Sequence, residues 1–153
     1  MGRDDGDQSV AFPVGGSKVL RFSHADRVTI IAAGITVPEA LSAADALAAD
    51  GIPARVIDLY SVKPVDTQTL RAAAEVTENF VTVEDHWPEG GLGDAVLAAF
   101  GDGHQAPRIT KLAVHTMPGS AAPEEQLHVA GIDAKAIEAA VHVLVDTSRV
   151  GTG

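Results

Sequence analysis

Short, dense apolar runs alternate along this chain with longer stretches in which apolar residues recur every three or four positions. Val28 to Ala33, VTIIAA, is nearly continuous and stops at Gly34, as expected of a strand covered on both faces in a parallel sheet. Ala54 to Leu59 (ARVIDL) and Phe80 to Glu84 read the same way, and Ile109 to Val114 (ITKLAV) alternates as a strand does. Lys18 to Phe22 (KVLRF) is a shorter candidate strand, followed by a turn over 23–26. Thr36 opens a helix signature: Glu39 three residues later suits a capping box, and Pro38 falls in the first turn. Val37, Leu41, Ala44 and Leu47 share a helical face, and Gly51 is placed to take the left-handed cap. Asp66 is the expected cap of a second helix with Leu70, Ala73, Ala74 and Thr77 inward. Leu92 to Phe100 is a short third helix with Leu92, Val96, Ala99 and Phe100 inward, stopped by Gly101. Pro123 starts another that ends near Gly131, and Asp133 caps a last helix with Ile137, Val141 and Leu144 inward.

The order β, β, α, β, α, β, α, β, α, α predicts an α/β fold: a mostly parallel sheet with helices on both faces. The first short strand precedes the alternation and is the expected antiparallel edge. A length of 153 residues suits one domain with a sizeable core. The polar, acidic start and the Pro/Gly-rich connection after it make residues 1–16 a leader, 17–146 the folded domain and 147–153 a frayed tail.

Composition narrows the function. Aromatics are only 4% of the chain, so the core rests on Ala, Val, Ile and Leu. A formal net charge of −10 argues against nucleic acid and against an anionic membrane surface. With no cysteine, disulfides, thiolate metal sites and cysteine nucleophiles are excluded. No apolar run approaches the roughly 18 residues of a spanning helix, and no signal-peptide pattern opens the chain. A cytoplasmic protein is expected.

The candidate chemistry gathers in Val81 to Val96, VTVEDHWPEGGLGDAV. Here a strand runs into Glu84, Asp85 and His86, then Trp87, then Gly90, Gly91 and Gly93 before a helix. Open α/β sheets place their sites where such strands end. Two alternatives stand for the charged triplet. A carboxylate beside an imidazole can do acid–base work, with Glu84 and His86 on one side and Asp85 opposite. Otherwise the carboxylates cap the next turn or form ion pairs. The glycines could cradle an anion at a helix start, or could allow a tight turn and close helix–strand packing. GGLGDA matches neither a P-loop nor a dinucleotide fingerprint, and Asp94 would repel phosphate. Trp87 is either a lid over the core or an interface anchor. His24, His86, His104, His115, His128 and His142 show no zinc spacing, and no serine lies in a GxSxG context.

The same stretch resembles the signature of the C-terminal domain of transketolases. The similarity extends through RVTIIAAGITVPEALSAADAL, RVIDLYSVKPVD, KLAVHTMPGSAAPEEQL and AGIDAKAIEAAV, and FPVGGSKVLRF is similar to the connection entering that domain. The C-terminal domains of deoxyxylulose-phosphate synthase and of 2-oxo acid dehydrogenase β subunits share the pattern more loosely. The resemblance implies a three-layer αβα sandwich around a five-stranded, mostly parallel sheet with one antiparallel edge strand. It implies a homodimeric cytoplasmic enzyme that moves two-carbon ketol units between sugar phosphates in the pentose phosphate pathway. Thiamine diphosphate and Mg2+ (or Ca2+) would then be held by other domains, which this sequence lacks. The GDG at Gly101 to Gly103 is without the asparagine of a metal-diphosphate motif, so no catalytic, cofactor or metal residue is carried over. Gly119, in MPGS, stands where the family often has arginine. The chain alone is therefore expected to be inactive and to act with a partner chain or domains that bear the cofactor. The alternative, of a different class, is a docking module with no part in sugar chemistry.

Overall fold

A computed structural model describes residues 16–60, 65–84, 91–101, 103–113 and 131–151, with 147–151 described as backbone only. The elements run β1 (Lys18–Arg21), β2 (Val28–Ala32), a 3-10 turn (Gly34–Thr36), α1 (Val37–Ala49) and β3 (Ala54–Asp58). Then come α2 (Thr67–Val76), β4 (Asn79–Val83), α3 (Leu92–Ala98), β5 (Arg108–Leu112) and α4 (Ala134–Gly151). The strands form one five-stranded sheet in the order β1-β3-β2-β4-β5. β2 pairs in parallel with β3 and β4, and β4 with β5, while β1 runs antiparallel to β3 at the edge.

Strand alternation sorts the side chains into two cores. Val28, Ile30 and Ala32 of β2, with Val56 of β3 and Val81 and Val83 of β4, pack under α1 and α4. Ile31, Ile57 and Phe80 point the other way and meet α2 and α3 through Leu70, Ala73, Leu92, Val96 and Phe100. The Phe80 and Phe100 rings meet edge to face with centroids 5.8 Å apart. Every residue of β2 and of β4 is buried, which explains their nearly unbroken apolar sequences. The helices divide between the faces for a reason of handedness. The chain moves from β2 to β3 in one direction and from β3 through β4 to β5 in the other. Right-handed crossovers then put α1 on one face and α2 and α3 on the opposite one.

Several polar groups inside this frame are paired, while Thr82 Oγ1 in β4 has no hydrogen-bond partner. Thr29 and Thr77 join hydroxyls at 2.6 Å, and the Thr77 hydroxyl also donates to the Ala73 carbonyl, ending α2 against the sheet. Asp26 is buried beneath the β1–β2 turn, where it accepts from the Ser23 amide at 2.7 Å and from Arg55 Nε at 3.1 Å.

Most local signals act as their chemistry predicts. Asp66 accepts from the Thr69 amide at 3.2 Å, and Asp133 from the Ala136 amide at 3.0 Å, each capping its helix. Gly51 ends α1 with φ +80, in the region that costs a side chain most. The capping box of Thr36 and Glu39 does not form. The Thr36 hydroxyl turns inward, and Glu39 Oε1 instead accepts the Ala134 amide at 2.9 Å, capping α4 across the sequence. A helix N-terminus offers unpaired N–H groups to any nearby carboxylate, whatever its distance along the chain. α4 continues to Gly151, past the expected onset of fraying at 147. The helix expected from Pro123 lies outside the described residues.

Asp66 links this frame to pH. Burial pushes its carboxyl up, but hydrogen bonds from the Thr69 hydroxyl and amide and from the Ser17 hydroxyl outweigh that and hold it below its ordinary value. A depressed folded-state pKa contributes stability in full above the unfolded value of about 3.9, and that contribution is lost as pH falls through the folded value. Asp66→Ala should cost about 1 kcal/mol at neutral pH. In urea unfolding from pH 7 to 2.5 the variant should also lose less stability on acidification than the parent; an equal loss in both would place the acid sensitivity elsewhere.

Candidate functional site

The two central parallel strands, β2 and β4, separate at their carboxyl ends, since the chain leaves β2 toward β3 and leaves β4 toward β5. Such a switch point is where open α/β sheets bind ligands, because diverging connections leave a crevice there. Two buried polar side chains of the described residues, Thr36 and Glu84, stand at this end of the sheet. From the β2 side, the Thr36 hydroxyl shares its one proton between the Ala33 and Val83 carbonyls, 2.8 and 3.0 Å away, and accepts the Ala33 amide at 3.1 Å. Thr36 is fully buried, and its bond to Val83 ties the turn after β2 to the last residue of β4.

From the β4 side comes Glu84, only 2% exposed. Its parity is that of Phe80, so its side chain points toward the α2/α3 layer. There Oε1 accepts the Leu92 amide at 2.7 Å and Oε2 the Gly93 amide at 3.0 Å. The carboxylate therefore spans two of the unpaired N–H groups that open α3, where negative charge is favoured. The Glu84 amide in turn donates to the Leu112 carbonyl at 2.9 Å, extending the β4–β5 ladder by one bond. Of the two readings of Glu84, the geometry gives the capping one.

The described glycines have assignable tasks. Gly91 is the N-cap of α3, in extended backbone. At Gly93 a Cβ would come within 2.8 Å of Lys111 Cγ and 2.9 Å of Lys111 Cδ, so the missing side chain lets the β5 lysine lie across the helix start. Lys111 Nζ then pairs with Asp94. The anion cradle does not form at Leu92 and Gly93, whose N–H groups already serve Glu84. Asp85, His86, Trp87, Gly90 and Gly119 lie outside the described residues.

A family model described as "Transketolase, C-terminal domain" matches residues 17–137. The chain belongs to the transketolase C-terminal domain family. It is 46% identical over 135 residues to the transketolase-like protein 1 of Macaca fascicularis, covering 88% of this chain and 22% of that protein. To the transketolases of Mus musculus and Homo sapiens it is 45% and 43% identical, over the same shares. The chain thus spans 22% of the length of these curated relatives. Among solved structures it is similar to a split-gene transketolase described as an inactive beta4 tetramer, with TM-score 0.79 and 36% identity, over 88% of this chain and 43% of that one. A Pichia stipitis transketolase structure shares the fold at TM-score 0.66 and 17% identity.

No group of three or more His, Asp or Glu side chains among the described residues is placed to hold a cation. The helix start at the switch point is neutralised from inside by Glu84. One further acid lies at this end of the sheet: Asp58, the last residue of β3, across from Lys18 of β1. Burial pushes its carboxyl up against the pull of Lys18, and its Oδ1 has no hydrogen-bond partner. No sequence motif marks Asp58, a lone acid that ends an apolar run. Thr36 was singled out for a different role, and Lys111 not at all; no local pattern marks a hydroxyl or an alkyl chain whose partner sits on another strand. A cavity of about 480 Å³ is at the opposite end of the sheet, between Ala74 and Glu78 on one side and Gln105 to Arg108 on the other. It is remote from Glu84.

Replacing Glu84 tests the cap. Glu84→Gln keeps one acceptor oxygen but turns an amide NH2 toward an N–H donor, which should cost about 1–3 kcal/mol in denaturant unfolding. Gly93→Ala should stay within about 1 kcal/mol of the parent, because the helical gain over glycine offsets a displaced Lys111. A neutral Glu84→Gln would mean that the capping bonds contribute little.

Proposed function

We propose that this chain is the C-terminal domain or subunit of a transketolase, and that it supports assembly of an enzyme transferring two-carbon ketol units between sugar phosphates. The enzyme so assembled would be a cytoplasmic homodimer of the pentose phosphate pathway, using thiamine diphosphate and Mg2+ (or Ca2+). The cofactor would be held by partner domains or by a partner subunit, not by this chain, which by itself is inactive.

The observation that carries this reading is chemical. At the switch point, the place where an α/β domain would hold a ligand, the Thr36 hydroxyl and the Glu84 carboxylate are spent on the protein's own backbone. A domain built this way offers a rigid framework rather than reacting groups. Membership of the transketolase family supplies the enzyme, and the relatives' greater length leaves room for the domains that would carry the chemistry. The split-gene relative, whose structure is described as an inactive tetramer, supports a reading in which such a chain assembles without turning over.

The purified chain, given thiamine diphosphate, Mg2+, xylulose 5-phosphate and ribose 5-phosphate, should produce no sedoheptulose 7-phosphate above the enzyme-free rate. Addition of a chain carrying the remaining transketolase domains should produce ketol transfer that depends on both. Turnover by this chain alone would overturn the reading.

A further inference from the structure

The described surface has six exposed large apolar side chains: Val19, Phe22, Ile35, Val76, Leu97 and Val143. Single exposed apolar residues are ordinary and need no partner. Ile35 differs in its setting. It is 58% exposed in the 3-10 turn after β2, at the carboxyl end of the sheet, and the next exposed apolar residue, Pro38, follows three positions later. Residues three apart lie on one side of a helical turn. Gly34, also exposed, completes the patch, and a Cβ there would meet nothing within 4 Å. Ala33 to Pro38, AGITVP, contains no charged residue in a chain that is 21% charged.

The turn is also held rigidly from beneath. Thr36 fixes it to β2 and to the end of β4 with its single hydroxyl, while α1 starts directly behind it. A surface whose backbone is fixed before contact loses little freedom on binding. The competing patch is weaker. Phe22 is 65% exposed but has the Arg55 guanidinium 5.8 Å from its ring centroid, and the adjoining edge strand carries Lys18 and an irregularity between Val19 and Arg21. Both features discourage a second chain from pairing with an edge. Val76, Leu97 and Val143 belong to three different helices.

We infer that the turn of Gly34, Ile35 and Pro38 is the surface on which this domain docks the remaining transketolase domains. The occupant follows from length: the chain spans 22% of its transketolase relatives, so the remaining domains of such an enzyme lie outside this sequence and must pack on some surface of it. The inference rests on the reading under Proposed function and names its contact surface.

The test uses the intact chain, a purified chain carrying the remaining transketolase domains, and titration by calorimetry or sedimentation. Ile35→Arg should leave the melting temperature of the free domain unchanged and weaken association by about ten-fold or more, as expected for a buried anchor. Ile35→Val should restore it, and Val143→Ser should leave it at the parental level. Undiminished association by Ile35→Arg, with the parent binding, would overturn the docking surface alone. The same follows if Ile35→Arg disrupts only pairing between copies of this chain. No association by the parent would overturn the assembly role itself, and the docking surface with it.

Discussion

The two central strands run side by side and then part, and the groups left at that parting must be satisfied by something. This constraint organises the carboxyl end of the domain. The chain leaves β2 toward β3 and leaves β4 toward β5, and right-handed crossovers then put the connecting helices on opposite faces. In many α/β proteins a ligand fills the resulting crevice. Here Thr36 bonds the Val83 carbonyl at the end of β4, and Glu84 accepts the Leu92 and Gly93 amides at the start of α3. A buried carboxylate is costly unless its oxygens are paired, and Glu84 meets that condition with two backbone N–H groups at the positive end of a helix. Burial and capping thus depend on each other: the helix start makes the charge tolerable, and the charge fixes the helix start.

The rest of the α2/α3 face follows from that anchor. α3 is only seven residues long, too short to hold itself in isolation. It is fixed by Glu84 at its first turn, by Lys111 lying across Gly93, and by Leu92, Val96, Ala99 and Phe100 against the sheet. The opposite face relies on size instead. α1 and α4 are long, bury a stripe of alanines and aliphatics, and are joined through Glu39, which closes the N-terminus of α4. The two layers are therefore stabilised differently, one by a few directed polar contacts and the other by continuous apolar packing.

These features bear on what a domain of this family contributes to a larger enzyme. Reacting groups must be accessible, and Thr36 and Glu84, among the described polar groups at this switch point, are buried. The turn from Ala33 to Pro38 beside them carries no charge that would attract an anion. The acidic balance of the chain points the same way, since −10 over 153 residues would oppose a phosphate outside a dedicated basic pocket.

The strands, the helices and their inward faces were legible in the residues, because burial on both sides of β2 and β4 demands apolar runs and amphipathic helices demand a three-to-four spacing. Caps whose partner lies three residues away, at Asp66 and Asp133, were legible for the same local reason. Membership of the family was legible too, in the order of quoted segments from Val28 to the last helix. The tertiary structure alone decided how the long-range polar groups are used. Thr36 bonds a carbonyl 47 positions away and Glu39 an amide 95 positions away, and neither follows the local capping box that their spacing suggested. Glu84 was legible as a candidate but not as a cap, since an acid at a strand end reads alike whether its oxygens face water, a substrate or a helix. Hydrogen-bonding groups take the nearest partner in space, and only the packed chain determines which partner that is.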